Sequence, residues 1–386
     1  MLSNIRARAL SLQFRSIRRF VILILSKIPR DLERAIIFGD TLNHLLMISP
    51  LKYLFKFSTP SNIKATLYDL QFDSPLISAS FKDDISSLLQ WQLVGIGGIT
   101  YKTVLKSPSE GNLRPRIQEV SYKGDYAILN SLGLPTKGVR KFIDSLDNKK
   151  MTNFNRPIGI SIGGNSPEEY FIVFKEIDDY LNSLEYKQFF YEINISCPNT
   201  DDGKCLSDDL NSLKELLLRF RSTSSRVIVV KVSPDSSDND IISVCNILAQ
   251  ISKTAINIGN SKYVRADEVG LSSKSFSKEG GGLSGKNLYG NTLRMVQLVS
   301  SKCDVPIIAT GGVSSYENVR ELLDSGASLT GIATLLVTDP FQIPLINQRL
   351  SKDLAHSNNI LFYCLMWLKY LLWRLCRYNW LVKKTD

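Results

Sequence analysis

The chain has 386 residues, 44% hydrophobic and 22% charged, a balance that excludes a disordered chain and suits one large α/β unit with appendages or two ordinary domains. Its net charge of +10 leaves nucleic acid, anionic lipid and acidic small molecules open as partners. Six cysteines without a CxxC pair, and only His44 and His356, argue against a zinc site and for reduced thiols in an intracellular protein.

In chain order, residues 1–30 carry six arginines and four serines, with no acid before Asp31. "RRFVILILSKIPR" holds an apolar run of six, too short to span a bilayer. It reads as a basic membrane-facing helix, as an Arg-rich organelle presequence, or as a frayed basic tail. Residues 31–57 read as one or two helices broken near Pro50, and "STPSN" (58–62) as a boundary. The organisation expected is therefore a basic helical segment over 1–60, a barrel over 61–350 and a tail over 351–386.

Strand-like apolar runs then recur: 74–80, 93–103, 156–164, 189–196, 226–233, 253–261, 305–312 and 329–337. Amphipathic helical stretches lie at 210–220, 240–251, 288–301 and 315–326. Near-continuous apolar strands alternating with helices predict parallel strands buried on both faces. Eight such units predict a (β/α)8 TIM barrel. The competing doubly wound sheet calls for a Gly-rich turn after the first strand, which "SASFKDD" lacks. At the far end, Ile360–Trp380 spaces leucines helically among aromatics, Lys369, Arg374 and Arg377. That pattern suits a membrane interface, or a terminal helix packed on its own core.

A barrel places its active site at the carboxyl ends of its strands. Lys102, Ser161, Asn194, Cys197, Lys231, Asn260 and Ser261 all fall there. Glycines cluster in "EGGGLSGK" (279–286) and "ATGGV" (309–313). Gly285, Gly311, Gly312 and the Thr334 hydroxyl suit a phosphate held by backbone N–H groups on the loops after strands seven and eight. Lys231, flanked by valines, needs an anionic partner. The N1–C2=O edge of a reduced flavin supplies one, and a structural ion pair is the plainer alternative. Lys102 adds a second cation. Asn130, Asn194, Asn199 and Asn260 can read a ring of alternating N–H and C=O groups, although a single Asn is usually a turn or cap. Cys197 is either a small buried hydrophobe or a base, and no nearby histidine suggests a protease-like nucleophile.

Together, "NISCPNT", "GGLSGK", "TGGV" and "EGNLRPR" resemble the dihydroorotate dehydrogenases, over about residues 65–345 and in order. The resemblance implies an FMN-dependent barrel of pyrimidine synthesis that moves a hydride from C6 of dihydroorotate to FMN while a base takes the C5 proton. It implies catalytic roles for Cys197, Lys102 and Lys231. Cys197 matches the base, which is cysteine in the soluble class and serine in the membrane-bound, quinone-using class. Ala79, Ser80, Thr103, Ser161, Asn194, Lys231, Gly259, Gly285, Gly311, Gly312, Ala333 and Thr334 match flavin positions. Lys102, Asn130, Ser131, Leu132, Gly133, Leu134, Asn194, Asn199, Asn260 and Ser261 match substrate positions.

Cys197, Lys102 and "LNSLGLP" look like the soluble class; "GGLSGK", "GASL" and the helices before the barrel look like the membrane-bound one. Ser80 replaces a glycine, Asp83 takes a lysine position beside Lys82, Thr136 replaces an asparagine, and Ala333 departs from both classes. The basic, aromatic ends imply a quinone acceptor and attachment to lipid at the cytoplasmic face of the cell membrane, or at the mitochondrial inner membrane. No metal and no nucleic acid is expected. Two alternatives stand beside this reading: a flavin barrel acting on another pyrimidine, including uridine in RNA, and a membrane-docked barrel without catalysis.

Overall fold

The structure is a computed structural model that describes residues 2–26, 32–147, 154–184, 188–195, 206 and 209–355. Cys197, Asn199 and the tail from 356 onward lie outside the described residues.

The chain opens with α1 (Leu2–Leu25) and α2 (Glu33–Ile48), then a 3-10 turn, Pro50–Phe55, started by Pro50. A hairpin of β1 (Ala65–Leu67) and β2 (Leu70–Phe72) follows. Next come β3 (Leu76–Ser78), α3 (Ile85–Val94) and β4 (Ile99–Val104). An excursion makes β5 (Ile117–Tyr122) and β6 (Asp125–Asn130) before α4 (Val139–Asp147). The run continues through β7 (Ile158–Ile162), α5 (Pro167–Asn182), β8 (Phe189–Asn194), α6 (Leu210–Thr223), β9 (Val227–Val232), α7 (Asp238–Leu248) and β10 (Thr254–Ile258). A second excursion, β11 (Lys262–Arg265) and β12 (Gly280–Gly285), precedes α8 (Tyr289–Lys302). The last units are β13 (Ile307–Thr310), α9 (Tyr316–Asp324), β14 (Leu329–Ile332), α10 (Thr334–Thr338) and helical residues 342–355.

Eight strands form one parallel sheet in the order β3-β14-β13-β10-β9-β8-β7-β4. The seam closes through a parallel bridge between Ile77 and Gly98, where the Ser78 N–H donates to the Gly98 carbonyl at 3.1 Å. These strands are the eight expected from the sequence, and the sheet is a (β/α)8 barrel. Strands β8 and β9 are buried at every position, because helices cover one face and the barrel interior the other. The hairpin plugs the floor: Leu67, Leu70 and Phe72 pack with Phe190, Val229 and Ile308 inside the barrel.

The two excursions pair as a four-stranded antiparallel sheet, β11-β12-β6-β5, which no sequence expectation included. The glycine run expected as a phosphate loop is instead strand β12, so Gly285 ends a strand between the sixth and seventh barrel strands. A Cβ on Gly281 would sit 2.3 Å from the Asn130 carbonyl oxygen, so the sheet closes at this point only without a side chain.

α1 docks on the far end of the barrel chain. Ala7 and Ser11 are buried, Ser11 Oγ donates to Asp339 Oδ2 at 2.6 Å, and Phe14 meets Phe341 edge-on. No residue of α2 is buried. No helix among the described residues is long and apolar enough to cross a membrane.

Candidate active site

The carboxyl ends of the barrel strands and the antiparallel sheet enclose a cavity of about 1110 Å³. Strand β9 brings Lys231 into it and β8 brings Asn194 directly opposite in register, since inward positions of neighbouring parallel strands meet in layers. Strand β4 contributes Lys102 and Thr103, and the turn after β3 contributes Ala79 and Ser80. From the antiparallel sheet and its loops come Asn130, Ser131, Leu132, Gly133 and Leu134. Asn260, Ser261 and Gly285 line the same side, and Gly311, Gly312, Ala333 and Thr334 line the other.

Two expected positions stand behind the lining. Ser161 is fully buried and shares a hydrogen bond of 3.0 Å with Thr103, whose hydroxyl in turn accepts from Asn194 Nδ2 at 3.2 Å. Gly259 has φ +112° and lies so close to the Thr310 carbonyl that a Cβ would come within 1.7 Å of it. Ser161 orients Thr103, which faces the cavity.

The electrostatics of the floor are strongly organised. Lys231, Glu192, Ser80 and Asn257 are all buried. Lys231 Nζ donates to Ser80 Oγ at 3.2 Å and lies 3.9 Å from Glu192 Oε1. Ser80 Oγ donates to the same carboxylate, and Asn257 Nδ2 donates to its other oxygen at 2.7 Å. The structural ion pair weighed for Lys231 is therefore present, yet the lysine still lines the cavity. Glu192 escaped the sequence reading, although a carboxylate inside "FFYEINIS" is the same kind of signal as Lys231.

Lys102 faces the cavity from the side. Burial pulls its pKa below the ordinary lysine value, and Asp83 partly opposes that shift. Lys82, the other cation near the departures at 80–83, points away: its ammonium lies 2.6 Å from Asp40 Oδ2 on α2.

The residues fit a flavin nucleotide. Thr310 lines the cavity, and its hydroxyl is buried without a hydrogen-bond partner. Gly312, at φ +73°, would carry a Cβ within 2.3 Å of the Tyr289 nitrogen, and with Gly311 it lines the cavity as bare backbone. No cluster among the described residues could hold a metal.

Comparison with known proteins agrees with this geometry. A family model described as dihydroorotate dehydrogenase matches residues 62–354. A dihydroorotate dehydrogenase (quinone) of Wigglesworthia glossinidia brevipalpis is 30% identical over 75% of this chain and 87% of its own length. A dihydroorotate dehydrogenase B (NAD(+)) catalytic subunit of Malacoplasma penetrans is 28% identical over 78% and 96%. Among solved structures, the DHODH of Eimeria tenella in complex with ferulenol superposes with a TM-score of 0.70 at 19% identity, covering 88% of this chain and 95% of that one, a likeness of fold. With the match running through the whole barrel and its rim, this chain belongs to the dihydroorotate dehydrogenase family.

Proposed function

We propose that the chain oxidises dihydroorotate to orotate in pyrimidine biosynthesis, with FMN as its cofactor and a quinone as the electron acceptor. The observation that carries this reading is the convergence of Lys102, Lys231 and the asparagines 130, 194 and 260 on one cavity at the catalytic end of the barrel. The bound flavin supplies the two-electron acceptor for the substrate's hydride. Lys231 offers a cation to the flavin's N1–C2=O edge, and Thr103, held by Ser161, offers a hydroxyl. Bare backbone at Gly311 and Gly312, with Thr334, would hold its phosphate. Lys102 pairs with the substrate carboxylate. Asn130, whose Nδ2 donates to the Gly282 carbonyl at 3.0 Å, keeps its oxygen for a ring N–H. Cys197 takes the C5 proton, a role that rests on its place in "NISCPNT".

The quinone assignment draws on relatives named for quinone and on apolar side chains exposed in the amino-terminal helices. Leu12, Phe20 and Leu23 on α1, Leu42, Leu45 and Ile48 on α2, and Leu54 of the 3-10 turn are at least half exposed. These helices, with the basic aromatic tail, would lie in the plane of a membrane at its cytoplasmic face, or at the mitochondrial inner membrane.

Purified protein should release FMN on denaturation, and its flavin should bleach on adding dihydroorotate. Reoxidation should be faster with a soluble quinone than with NAD+ or fumarate, and the protein should float with anionic vesicles. Absence of flavin ends the enzymatic reading; preference for NAD+ or failure to float ends the quinone and membrane parts.

A further inference from the structure

We infer that Glu192 is an internal counter-ion that sets, through Lys231, how readily the bound flavin accepts electrons; the inference rests on the flavin reading above. The hydrogen bonds around it favour its charged form. An ammonium has only donors, so the bond from Lys231 to Ser80 uses the serine oxygen as acceptor and turns the serine hydrogen toward Glu192. Asn257 Nδ2 donates to the other carboxylate oxygen. A donor on each oxygen and an ammonium 3.9 Å away are surroundings that favour the charge of a carboxylate.

Its position gives it leverage without contact. Glu192 stands on β8 two residues before Asn194, hence one layer deeper on the same inward face. Lys231, Ser80 and Asn194 line the cavity, whereas Glu192 and Asn257 do not. Glu192 is a positioning residue: it holds the lysine in place and offsets part of its charge in a site shielded from water. A ring seated over Lys231 gains negative charge on reduction, and that charge is stabilised less by a partly neutralised lysine than by a free one. Removing the carboxylate charge should therefore make the flavin easier to reduce.

Glu192→Gln is suited to the experiment because its amide can be accommodated. Asn257 Oδ1 is buried and has no partner, so a flip of Asn257 would present that oxygen to the new NH2 group while the Gln carbonyl keeps the Ser80 bond. The measurement is the reduction potential of FMN bound to the full chain, by equilibration with a reference dye. At a fixed poise, the ratio of reduced to oxidised flavin should rise at least tenfold in Glu192→Gln, about 30 mV for a two-electron couple. Glu192→Ala, which removes the same charge without leaving an amide, should shift the ratio the same way. Potentials equal to wild type in flavin-filled variants overturn the inference and leave the flavin reading intact. Should Glu192→Gln take up no flavin, Glu192→Ala decides alone, and an unchanged potential there overturns it. Wild-type protein that takes up no flavin overturns both.

Discussion

Asp40 Oδ2 and Lys82 Nζ meet at 2.6 Å, which fastens the second amino-terminal helix to the turn that follows the first barrel strand. α2 buries none of its residues; this pair, with Asn43 on Ser87 and His44 on Ser86, anchors its carboxyl half, while Glu33 pairs with Arg114 and Arg116 at its start and Ala35 and Ile36 pack on the Ile22, Leu32 and Ile128 cluster. Burial raises the Asp40 pKa, and Lys82 opposes that rise without cancelling it. Because the carboxylate is about a third exposed, solvent screening keeps the pair's contribution modest. Asp40→Ala should cost about 1 kcal/mol, much of it from leaving the half-buried Lys82 unpaired. Limited proteolysis should cut within 33–48 sooner than in wild type, and Lys82→Ala added to Asp40→Ala should cost less than the two single losses summed. Strict additivity would show that the pair does not couple helix to turn.

Lys102 gives a test of substrate binding apart from cofactor binding. Its ammonium faces the cavity, and burial lowers its pKa, so a ligand carboxylate beside it restores a favourable charged state. Lys102→Met keeps the apolar stem and removes the charge. A charge-assisted bond of about 1.5–3 kcal/mol corresponds to an orotate dissociation constant roughly 10–100-fold higher. FMN content should stay at the wild-type level. Orotate affinity, followed by perturbation of the flavin spectrum, should also fall in wild type as pH rises toward the lowered pKa of Lys102, and this fall should vanish in the variant. Equal affinities would remove Lys102 from the substrate site.

The barrel was legible because parallel strands buried on both faces leave unbroken apolar runs, and most of these runs ended in polar residues that now line the cavity. The antiparallel sheet was half legible. "IQEVSYKGDYAILN" alternates in the manner of a hairpin, and its Lys123-Gly124 turn has both φ values positive, the geometry such a two-residue turn requires. Strand β12 was not legible. Its glycines carry no strand propensity, and their reason for being there, close approach to Asn130 and Tyr263, exists only in three dimensions. The same limit hid the partners of Lys231: Ser80, Glu192 and Asn257 come from three separate strands or turns, and only barrel closure brings them to one ammonium. Lys82 stands beside the lysine position that Asp83 takes, yet α2 holds it, and Lys102 is the lysine that faces the cavity.

Cys197→Ala tests the base assigned from sequence. The variant should bind FMN as wild type does, and in stopped-flow mixing its flavin should bleach with dihydroorotate about 10²–10⁴-fold more slowly, the contribution typical of a positioned base. Cys197→Ser should retain part of the rate and move its optimum to higher pH, because a hydroxyl gives up its proton less readily than a thiol. Bleaching at the wild-type rate in both variants would assign the proton to another group.

The pH dependence of stability follows from acids held neutral by burial. Burial, then the neighbouring Cys303, pushes the Cys245 thiol pKa up. Burial likewise raises Tyr101, Tyr126 and, with Asp178 beside it, Tyr191. Each folded pKa lies above its unfolded value, so the stabilisation is fully present below the unfolded pKa and is lost as pH rises toward the folded one. Above about pH 8.5 the unfolded chain releases the Cys245 proton while the native chain keeps it, and unfolding free energy falls by up to about 1.4 kcal/mol per pH unit for that group. Above about pH 10 the tyrosines add to the slope. Lys102 acts in the opposite sense, since its lowered pKa means the native chain gives up a proton first. Urea midpoints should therefore be flat from pH 7 to 8.5 and then decline. Cys245→Ala isolates the thiol: it should be less stable than wild type by a constant amount below pH 8.5, with the gap narrowing by up to about 1.4 kcal/mol per pH unit above it. Parallel curves across pH 7–10 would show that Cys245 titrates alike in the two states.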